Sequence, residues 1–300
     1  MELLTDPHGW WIEPFTSNQF MRDALWAGLL VVLSTSVVGT WVVLRGMSFL
    51  GDALAHGVLP GIAIAFIVGV STTVGAFVAA LAMVVGVNLL RSHSPLPDDT
   101  SIGVLFVGFL ALAVVIMSSR SGAYAGDLNR FLFGSITAVD RGDLWGQAGA
   151  AAVSLVGVVV LHRALVVMTF DEALARLLGL RPRLAHIALL VLMAVSIVAS
   201  FRVVGNLLVF AFLIAPPAAA SLVMRRVPSI MMAAVLIGSI SVVIGLLISF
   251  HHRTAAGATM ALVTVVIFVL VLAASAGAAR LRDTRRPGTR EAAGDGMLRR

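Results

Sequence analysis

Long apolar stretches alternate with short polar connections along almost the whole chain. Each stretch is close to the length of about 20 residues that an α-helix needs to cross a bilayer. The pattern predicts nine membrane-spanning helices, with eight as the alternative count. They lie near residues 21–44, 49–70, 72–90, 101–118, 142–162, 184–201, 203–224, 229–250 and 255–275.

The composition also indicates a membrane protein. Of the 300 residues, 59% are hydrophobic and 12% are charged, whereas soluble domains carry roughly 25% charged residues. The mean hydropathy is +1.02. The first twenty residues contain Glu2, Asp6 and Glu13 and lack a basic start with an apolar core, so they do not predict a cleaved signal peptide. We therefore expect an all-α, polytopic integral membrane protein.

The arginines predict the orientation in the membrane, since the chain contains no lysine. They are more numerous in every second connection, and the positive-inside rule places those connections in the cytoplasm. The N-terminus is then outside and the C-terminus inside, in the plasma membrane of a bacterium. Residues 1–279 form the transmembrane domain, and residues 280–300 form an Arg-rich cytoplasmic tail that we expect to be disordered. Because this tail supplies most of the net charge of +6, the charge indicates contact with anionic lipid and no nucleic-acid partner.

Two connections are long enough to contain structure of their own. Residues 128–136, LNRFLFGSI, are apolar but too short to cross a bilayer, and they predict an interfacial or re-entrant helix. Residues 170–179, FDEALARLLG, predict a short cytoplasmic helix, because Asp171 and Glu172 favour its positive N-terminal end. This helix is either an ordinary loop helix or a place where an ATPase partner docks. The sequence has no G-x-x-x-x-G-K-[ST] motif, so ATP is not bound here by a P-loop.

Asp52 and His56 are the polar residues that most need an explanation, because they lie inside the second apolar stretch. A helix places residues four apart on the same face. Carboxylate oxygen and imidazole nitrogen are ligands that suit zinc or manganese. Pro60 follows them and breaks the helical hydrogen bonding. Ionisable groups inside a membrane are functional by default, although this pair could also hold helices together.

Other features have two explanations each. Pro216 and Pro217 lie in mid-span and predict a kink, which serves either helix packing or pore opening. His251 and His252 lie at an external turn, as solvated histidines or as the first contact of an incoming metal ion.

The lack of cysteine excludes disulfide bonds and thiolate ligands. No hydrolytic signature is present, so we do not expect an enzyme.

The segment around the polar pair closely resembles the second-span signature of membrane permeases from ABC-type zinc and manganese importers. Further blocks resemble the same family, in the family's order, and cover nearly all of the chain beyond the N-terminal twenty residues. The blocks are RGMSFLGDALAHGVLPGIAIA, DDTSIGVLFVGFLALAVVI, LNRFLFGSI, FDEALARLLGL, VVGNLLVFAFLIAPPAAA and SFHHRTAAGAT.

This resemblance implies a homodimeric pore, two copies of a cytoplasmic ATPase subunit and an extracytoplasmic metal-binding protein that delivers the ion. It implies no tightly bound cofactor, because Zn²⁺ or Mn²⁺ is the transported substrate, with iron as a further candidate. In the family the Asp and His of the second-span motif lie in the translocation pathway, and they match Asp52 and His56. The 170–179 segment matches the coupling helix that docks into the ATPase. The matching residues are Phe170, Asp171, Glu172, Arg176 and Gly179.

Two departures from the family pattern stand out. Gly57 follows the histidine, and the turn HHR stands where many relatives carry an acidic residue. The sequence leaves two other functions open. One is a proton-coupled secondary carrier, in which Asp52 and His56 relay protons. The other is an ABC permease for a chelated metal such as haem or a siderophore.

Overall fold

The structure is a computed structural model that describes residues 7–93, 97–118, 136 and 139–284. Within these residues the chain forms thirteen helices and no strand. They are α1 (Pro7–Trp11), α2 (Glu13–Ser17), α3 (Gln19–Leu44), α4 (Ser48–Gly57), α5 (Leu59–Val68), α6 (Thr72–His93), α7 (Asp98–Ser118), α8 (Arg141–Phe170), α9 (Glu172–Leu177), α10 (Pro182–Val204), α11 (Asn206–Val223), α12 (Val227–His252) and α13 (Ala256–Thr284).

Eight segments of the described chain are long and apolar enough to cross a membrane, and α4 with α5 counts as one of them. The seventh predicted span, 203–224, is not among these eight and corresponds to α11, whose apolar part is the shorter stretch Val209–Val223. The all-α, multi-span architecture is confirmed, while the count of nine and the orientation stay predictions.

Two predicted segments fall wholly or partly outside the described residues. Of the interfacial helix predicted at 128–136, only Ile136 is among the described residues, and it is buried. The Arg-rich tail was expected from residue 280, but α13 continues to Thr284. The expected boundary therefore falls inside a helix, and residues 285–300 lie outside the described part.

Helix α3 lies at the centre of the bundle, where it packs against α8, α10, α11 and α12. Of its most apolar window, 72% is buried, compared with 17% for α7. Several buried positions of α3 are small or polar, including Gly28, Ser34 and Thr40. Small residues allow membrane helices to approach closely and pack in the absence of a hydrophobic driving force. The peripheral helix α7 leaves a wide apolar face for lipid or for another chain.

A row of hydrogen bonds joins the central helices inside the apolar bundle. The amide nitrogen of Gln147 on α8 donates to the hydroxyl oxygens of Ser34 on α3 and Ser200 on α10, at 3.0 and 3.3 Å. Ser154 and Ser196 bond to each other across α8 and α10 at 2.9 Å. Because water is scarce there, polar side chains between membrane helices need such partners. The two helices that flank α9 are thus held to each other and to α3.

Helix α11 continues through both of its prolines. Pro217 has no N–H, so it cannot donate to the carbonyl of Leu213 one turn earlier. That carbonyl lies directly against Gly39 of α3, where a Cβ atom would clash with it. The carbonyl that Pro217 leaves without a helical donor thus lies where α11 packs closely on α3.

Candidate metal site

The helix that carries the polar pair is broken directly after it, as predicted. Helix α4 ends at Gly57 and α5 begins at Leu59, with Pro60 in its first turn. Without an N–H, Pro60 cannot bond the carbonyl of His56, which accepts from the backbone N–H of Val58 instead. The chain is held at this break by α6, because Gly61 and Gly75 pack backbone against backbone and a Cβ on either would clash with the other's carbonyl oxygen.

Asp52 and His56 lie side by side on one face of α4. The ring nitrogen Nδ1 of His56 is 3.4 Å from Oδ1 of Asp52 and 3.1 Å from the Asp52 carbonyl oxygen. When Nδ1 carries the proton and donates to these oxygens, Nε2 keeps its lone pair for another ligand. The carboxylate orients the imidazole in this arrangement, which is common among metal-binding histidines.

Both side chains are accessible from the outside of the protomer. The His56 side chain is 17% exposed and the Asp52 side chain is 32% exposed, whereas the three residues between them are buried. Phe49, one turn before Asp52, is 42% exposed on the same side. The pair is therefore partly exposed on the outer side of an apolar segment.

An aromatic wall stands beside the histidine, and the sequence did not predict it. The ring of Phe106 on α7 meets the His56 ring edge to face, with centroids 5.4 Å apart and an interplanar angle of 88°. Phe49 and Phe106 are 6.3 Å apart at 63°. The seven-residue spacing from Phe49 to His56 was a usable signal, since it puts both on one helix face. The approach of Phe106 depends on how α7 packs on α4, which no local pattern shows.

Asp52 and His56 alone do not make a complete metal site. Within the described part of the chain, no group of three or more His, Asp or Glu side chains is placed to hold a metal ion. Zinc takes four ligands and manganese takes about six. A metal ion bound by this pair would need further ligands from outside the protomer described here, from water, or from residues beyond the described ranges.

The predicted cytoplasmic helix is present as α9, directly after the 30-residue helix α8. At 1.5 Å per residue α8 is about 45 Å long, which exceeds the hydrocarbon thickness of about 30 Å. Asp171 caps α9, since its carboxylate accepts the Leu174 N–H at 2.9 Å. Gly179 follows the helix with a φ of +71°, a conformation that glycine adopts at little cost. Short as it is, α9 has a defined start and end.

The two sides of α9 differ in character. Ala175 is fully buried against the bundle, and Glu172 and Arg176 lie next to it, joined by a 2.7 Å ion pair. The opposite side presents leucines that were not singled out from the sequence. Leu177 is 85% exposed and Leu174 is 45% exposed, and Phe170, the last residue of α8, is 82% exposed. An exposed apolar surface of this kind is typical of a docking site for another protein.

His251 and His162 do not join the polar pair. His251 stacks on Trp10 of α1, with ring centroids 4.6 Å apart and an angle of 18°, and its Nδ1 lies 2.9 Å from the Leu247 carbonyl oxygen. His162 packs edge to face against Trp41. The structure thus explains His251 as an anchor for the N-terminal segment.

Comparison with known proteins identifies the family. Residues 17–275 match the family described as "ABC 3 transport family". The chain belongs to this family. A manganese transport system membrane protein, MntC, from Halalkalibacterium halodurans is 34% identical over 254 residues, which cover 85% of this chain and 87% of that protein. A chelated iron transport system membrane protein, YfeD, from Yersinia pestis is 33% identical over 260 residues, covering 87% and 86%.

A solved structure supports the same assignment. The complex described as PsaBC from Streptococcus pneumoniae with Fab contains a chain that superposes with a TM-score of 0.78 at 31% identity. The match covers 87% of this chain and 94% of that chain. The protein is therefore a multi-pass membrane permease subunit of an ABC transporter, as the sequence blocks predicted.

Proposed function

We propose that this permease imports a divalent transition-metal ion, manganese or zinc, through a pore formed by two copies of the chain. The observation that carries the proposal is the outward-facing Asp52–His56 pair inside an apolar segment. Two cytoplasmic ATPase subunits drive the transport, and an extracytoplasmic metal-binding protein delivers the ion.

The charge of the ion explains why the membrane segment contains these groups. A divalent ion loses its hydration shell at a high cost when it enters hydrocarbon, and so does a lone carboxylate. Two protomers contribute two carboxylates, which neutralise the charge of the ion, and two imidazoles, which supply nitrogen ligands. This set makes a tetrahedral zinc site or part of a six-coordinate manganese site. With no thiolate among the ligands, the ion is held weakly enough to be released.

A free ion fits the pair better than a chelate does. A chelate such as haem or a siderophore is much larger than a single ion, so we would expect a wider and less charged pathway for it. Here both side chains are accessible and adjacent. The relatives named above are described as manganese and chelated-iron transport proteins, and we therefore place manganese first and keep iron among the ions to be tested.

Helix α9 supplies the contact with the ATPase. Its apolar side, with Leu174 and Leu177, is exposed, as is Phe170 just before it, and these residues can insert into a groove of the partner. Glu172 and Arg176 lie on the side that meets the permease itself. The hydrogen bonds between α8 and α10 then carry a movement of α9 into the bundle and to α3.

The test is ATP hydrolysis by the full transporter reconstituted in lipid vesicles. With the binding protein present, manganese or zinc should stimulate hydrolysis and be taken up only when ATP is supplied. An imposed proton gradient without ATP should give no uptake. Uptake driven by the gradient alone would identify a secondary carrier, and stimulation by a chelate but by no free ion would identify a chelate permease.

A further inference from the structure

Helix α4 exposes a single stripe of side chains, and the metal pair occupies only part of it. Six of the ten residues of α4 are buried. The residues that stay at least partly accessible are Ser48, Phe49, Asp52 and His56. Phe49 lies about one turn before Asp52 and two turns before His56, so the three side chains share one helix face. A large apolar ring therefore stands in line with the two ionisable groups.

The Phe49 ring is packed on one side and uncovered on the other. It meets the ring of Phe106 on α7, with centroids 6.3 Å apart and an interplanar angle of 63°. Beside it α7 has Gly103, where an added Cβ atom would lie 3.9 Å from the Phe49 ring. Phe49 nevertheless stays 42% exposed. The ring is thus supported by α7 while its other side lies open on the stripe that carries the metal pair.

Phe49 lies at the end of α4 that is nearer to α9. The turn from α3 into α4 contains Arg45, four residues before Phe49. Arg45 lines a polar cavity of about 260 Å³ together with residues of α6, α9 and α10, which are Asn88, Glu172, Arg176 and Arg183. At 1.5 Å per residue, Phe49 is about 4.5 Å nearer to this end than Asp52 and about 10 Å nearer than His56. An ion that leaves the pair toward the α9 end therefore meets Phe49 next along this face of α4.

An apolar ring in this position opposes the passage of a hydrated ion. Phenyl carbons form no hydrogen bonds with water, and hydrophobic constrictions in channels close by excluding water from the pore. A divalent ion that leaves the carboxylate and the imidazole needs water to replace them, because an isolated ion in an apolar environment is very unstable. A ring at this level therefore keeps the ion at the pair until the passage becomes wide enough to hold water.

We propose, on the basis of the two-copy metal pore proposed above, that Phe49 is a hydrophobic gate between the metal pair and the α9 end. The Phe49 rings of the two copies close the pore by excluding water. Phe106 and Gly103 position each ring, and the ion passes when the two rings move apart.

The test measures manganese flux through the full transporter in lipid vesicles without ATP hydrolysis. Flux is followed without nucleotide and with a non-hydrolysable ATP analogue, so that both end states of the transporter are sampled. Phe49→Ala should raise this uncoupled flux at least about ten-fold, which corresponds to a barrier lower by about 1.4 kcal/mol. Phe49→Leu keeps a larger apolar side chain and should show much less uncoupled flux than Phe49→Ala. Phe250→Ala is the matched control, since Phe250 is 38% exposed on α12 and contacts Phe20 and His251.

A rise in Phe49→Ala that is absent from Phe250→Ala supports the gate. No rise in either nucleotide state, or an equal rise in Phe250→Ala, overturns it. If Phe49→Ala does not fold, Phe49→Cys serves instead, because the native chain contains no cysteine and a thiol reagent then labels this position alone. A charged reagent should raise the uncoupled flux, and an uncharged reagent of similar size should not. Equal flux with the two reagents also overturns the gate.

The double variant Phe49→Ala, Asp52→Asn separates the gate from the proposed metal site. If the uncoupled flux of Phe49→Ala falls back to the native level in the double variant, the ion passes both the gate and the pair. A flux that persists supports the gate but contradicts the pair as the metal site. Loss of ATP-driven uptake in Asp52→Asn, without uncoupled flux in Phe49→Ala, overturns the gate and leaves the metal site in place.

Discussion

Two polar pairs with the same four-residue spacing lie in very different surroundings. In the Asp52–His56 pair the side chains are 32% and 17% exposed and their closest side-chain polar atoms are 3.4 Å apart. In the Glu172–Arg176 pair they are 58% and 69% exposed and 2.7 Å apart. The shorter ion pair is the less important one, because exposed ion pairs contribute only about 0–1 kcal/mol to stability.

The difference lies in what each pair has around it. The Asp52–His56 pair lies in an apolar helix, beside the aromatic wall and just before a helix break. Placing its polar groups there costs free energy unless a ligand interacts with them. The pair on α9 is surrounded by water and by other charged groups. On α4 the function rests on the pair itself, whereas on α9 it rests on the apolar residues opposite the pair.

The largest effect is expected from His56→Leu, which keeps bulk but removes the nitrogen ligand. Metal uptake, normalised to folded protein, should fall by at least about ten-fold, the lower end of what metal-site changes cause. His162→Leu is the matched control, since His162 packs against Trp41 away from the pair, and its uptake should stay close to native. Equal losses in both variants would mean that the assay responds to histidine removal in general.

A different kind of loss is expected from Leu177→Asp on the exposed side of α9. The charged side chain should weaken docking to the ATPase, so that ATP hydrolysis no longer depends on metal and uptake falls several-fold. Leu177→Met keeps the apolar surface and should behave like the native chain. Co-purification of the ATPase and the ratio of uptake to hydrolysis are the measurements. If ATP hydrolysis and uptake stayed coupled in Leu177→Asp, the contact with the ATPase would have to lie in another part of the chain.

Gly61→Ala tests the packing that holds the helix break behind the metal pair. The added methyl group meets the Gly75 carbonyl, so we expect a loss of about 1–3 kcal/mol of stability, the usual cost of overpacking. At Gly149 no heavy atom lies within 4 Å of the added Cβ. Gly149→Ala should stabilise by about 0.5–1 kcal/mol through helix propensity. Thermal unfolding in detergent measures the stability of both variants. If the two substitutions changed stability in the same direction, the close approach of Gly61 to Gly75 would be contradicted.

The smallest effect is expected from Glu172→Gln, which removes one partner of the exposed ion pair. Since both side chains are more than half exposed, stability should change by less than about 1 kcal/mol and uptake should stay near native. Thermal unfolding and uptake are measured side by side with His56→Leu. A large loss of uptake here would remove the distinction between the two pairs.

The sequence predicted the parts that depend on local pattern. The length of the apolar stretches predicted the membrane spans, and the spacing of Asp52 and His56 predicted that they share a helix face. The acidic residues at Asp171 and Glu172 predicted the start of α9. These follow from helix geometry and capping, which act over a few residues.

The parts that the sequence did not predict depend on contacts between distant segments. Phe106 reaches His56 only because α7 packs on α4, and Arg45 and Arg183 share a cavity only because several helix ends meet there. The exposed leucines of α9 were also missed, because only the burial of Ala175 shows which side of this helix faces the bundle.

The most direct test of the central claim is Asp52→Asn measured for manganese uptake and ATP hydrolysis in the same vesicles. Asparagine keeps the size and hydrogen-bonding reach of aspartate but removes the charge that compensates the ion. Asp99→Asn, at an exposed position on α7, is the matched control. If the pair binds the ion in the pathway, the Asp52 variant assembles with its ATPase and hydrolyses ATP but moves almost no manganese. Near-native uptake by that variant would contradict the assignment of the pair as the metal site.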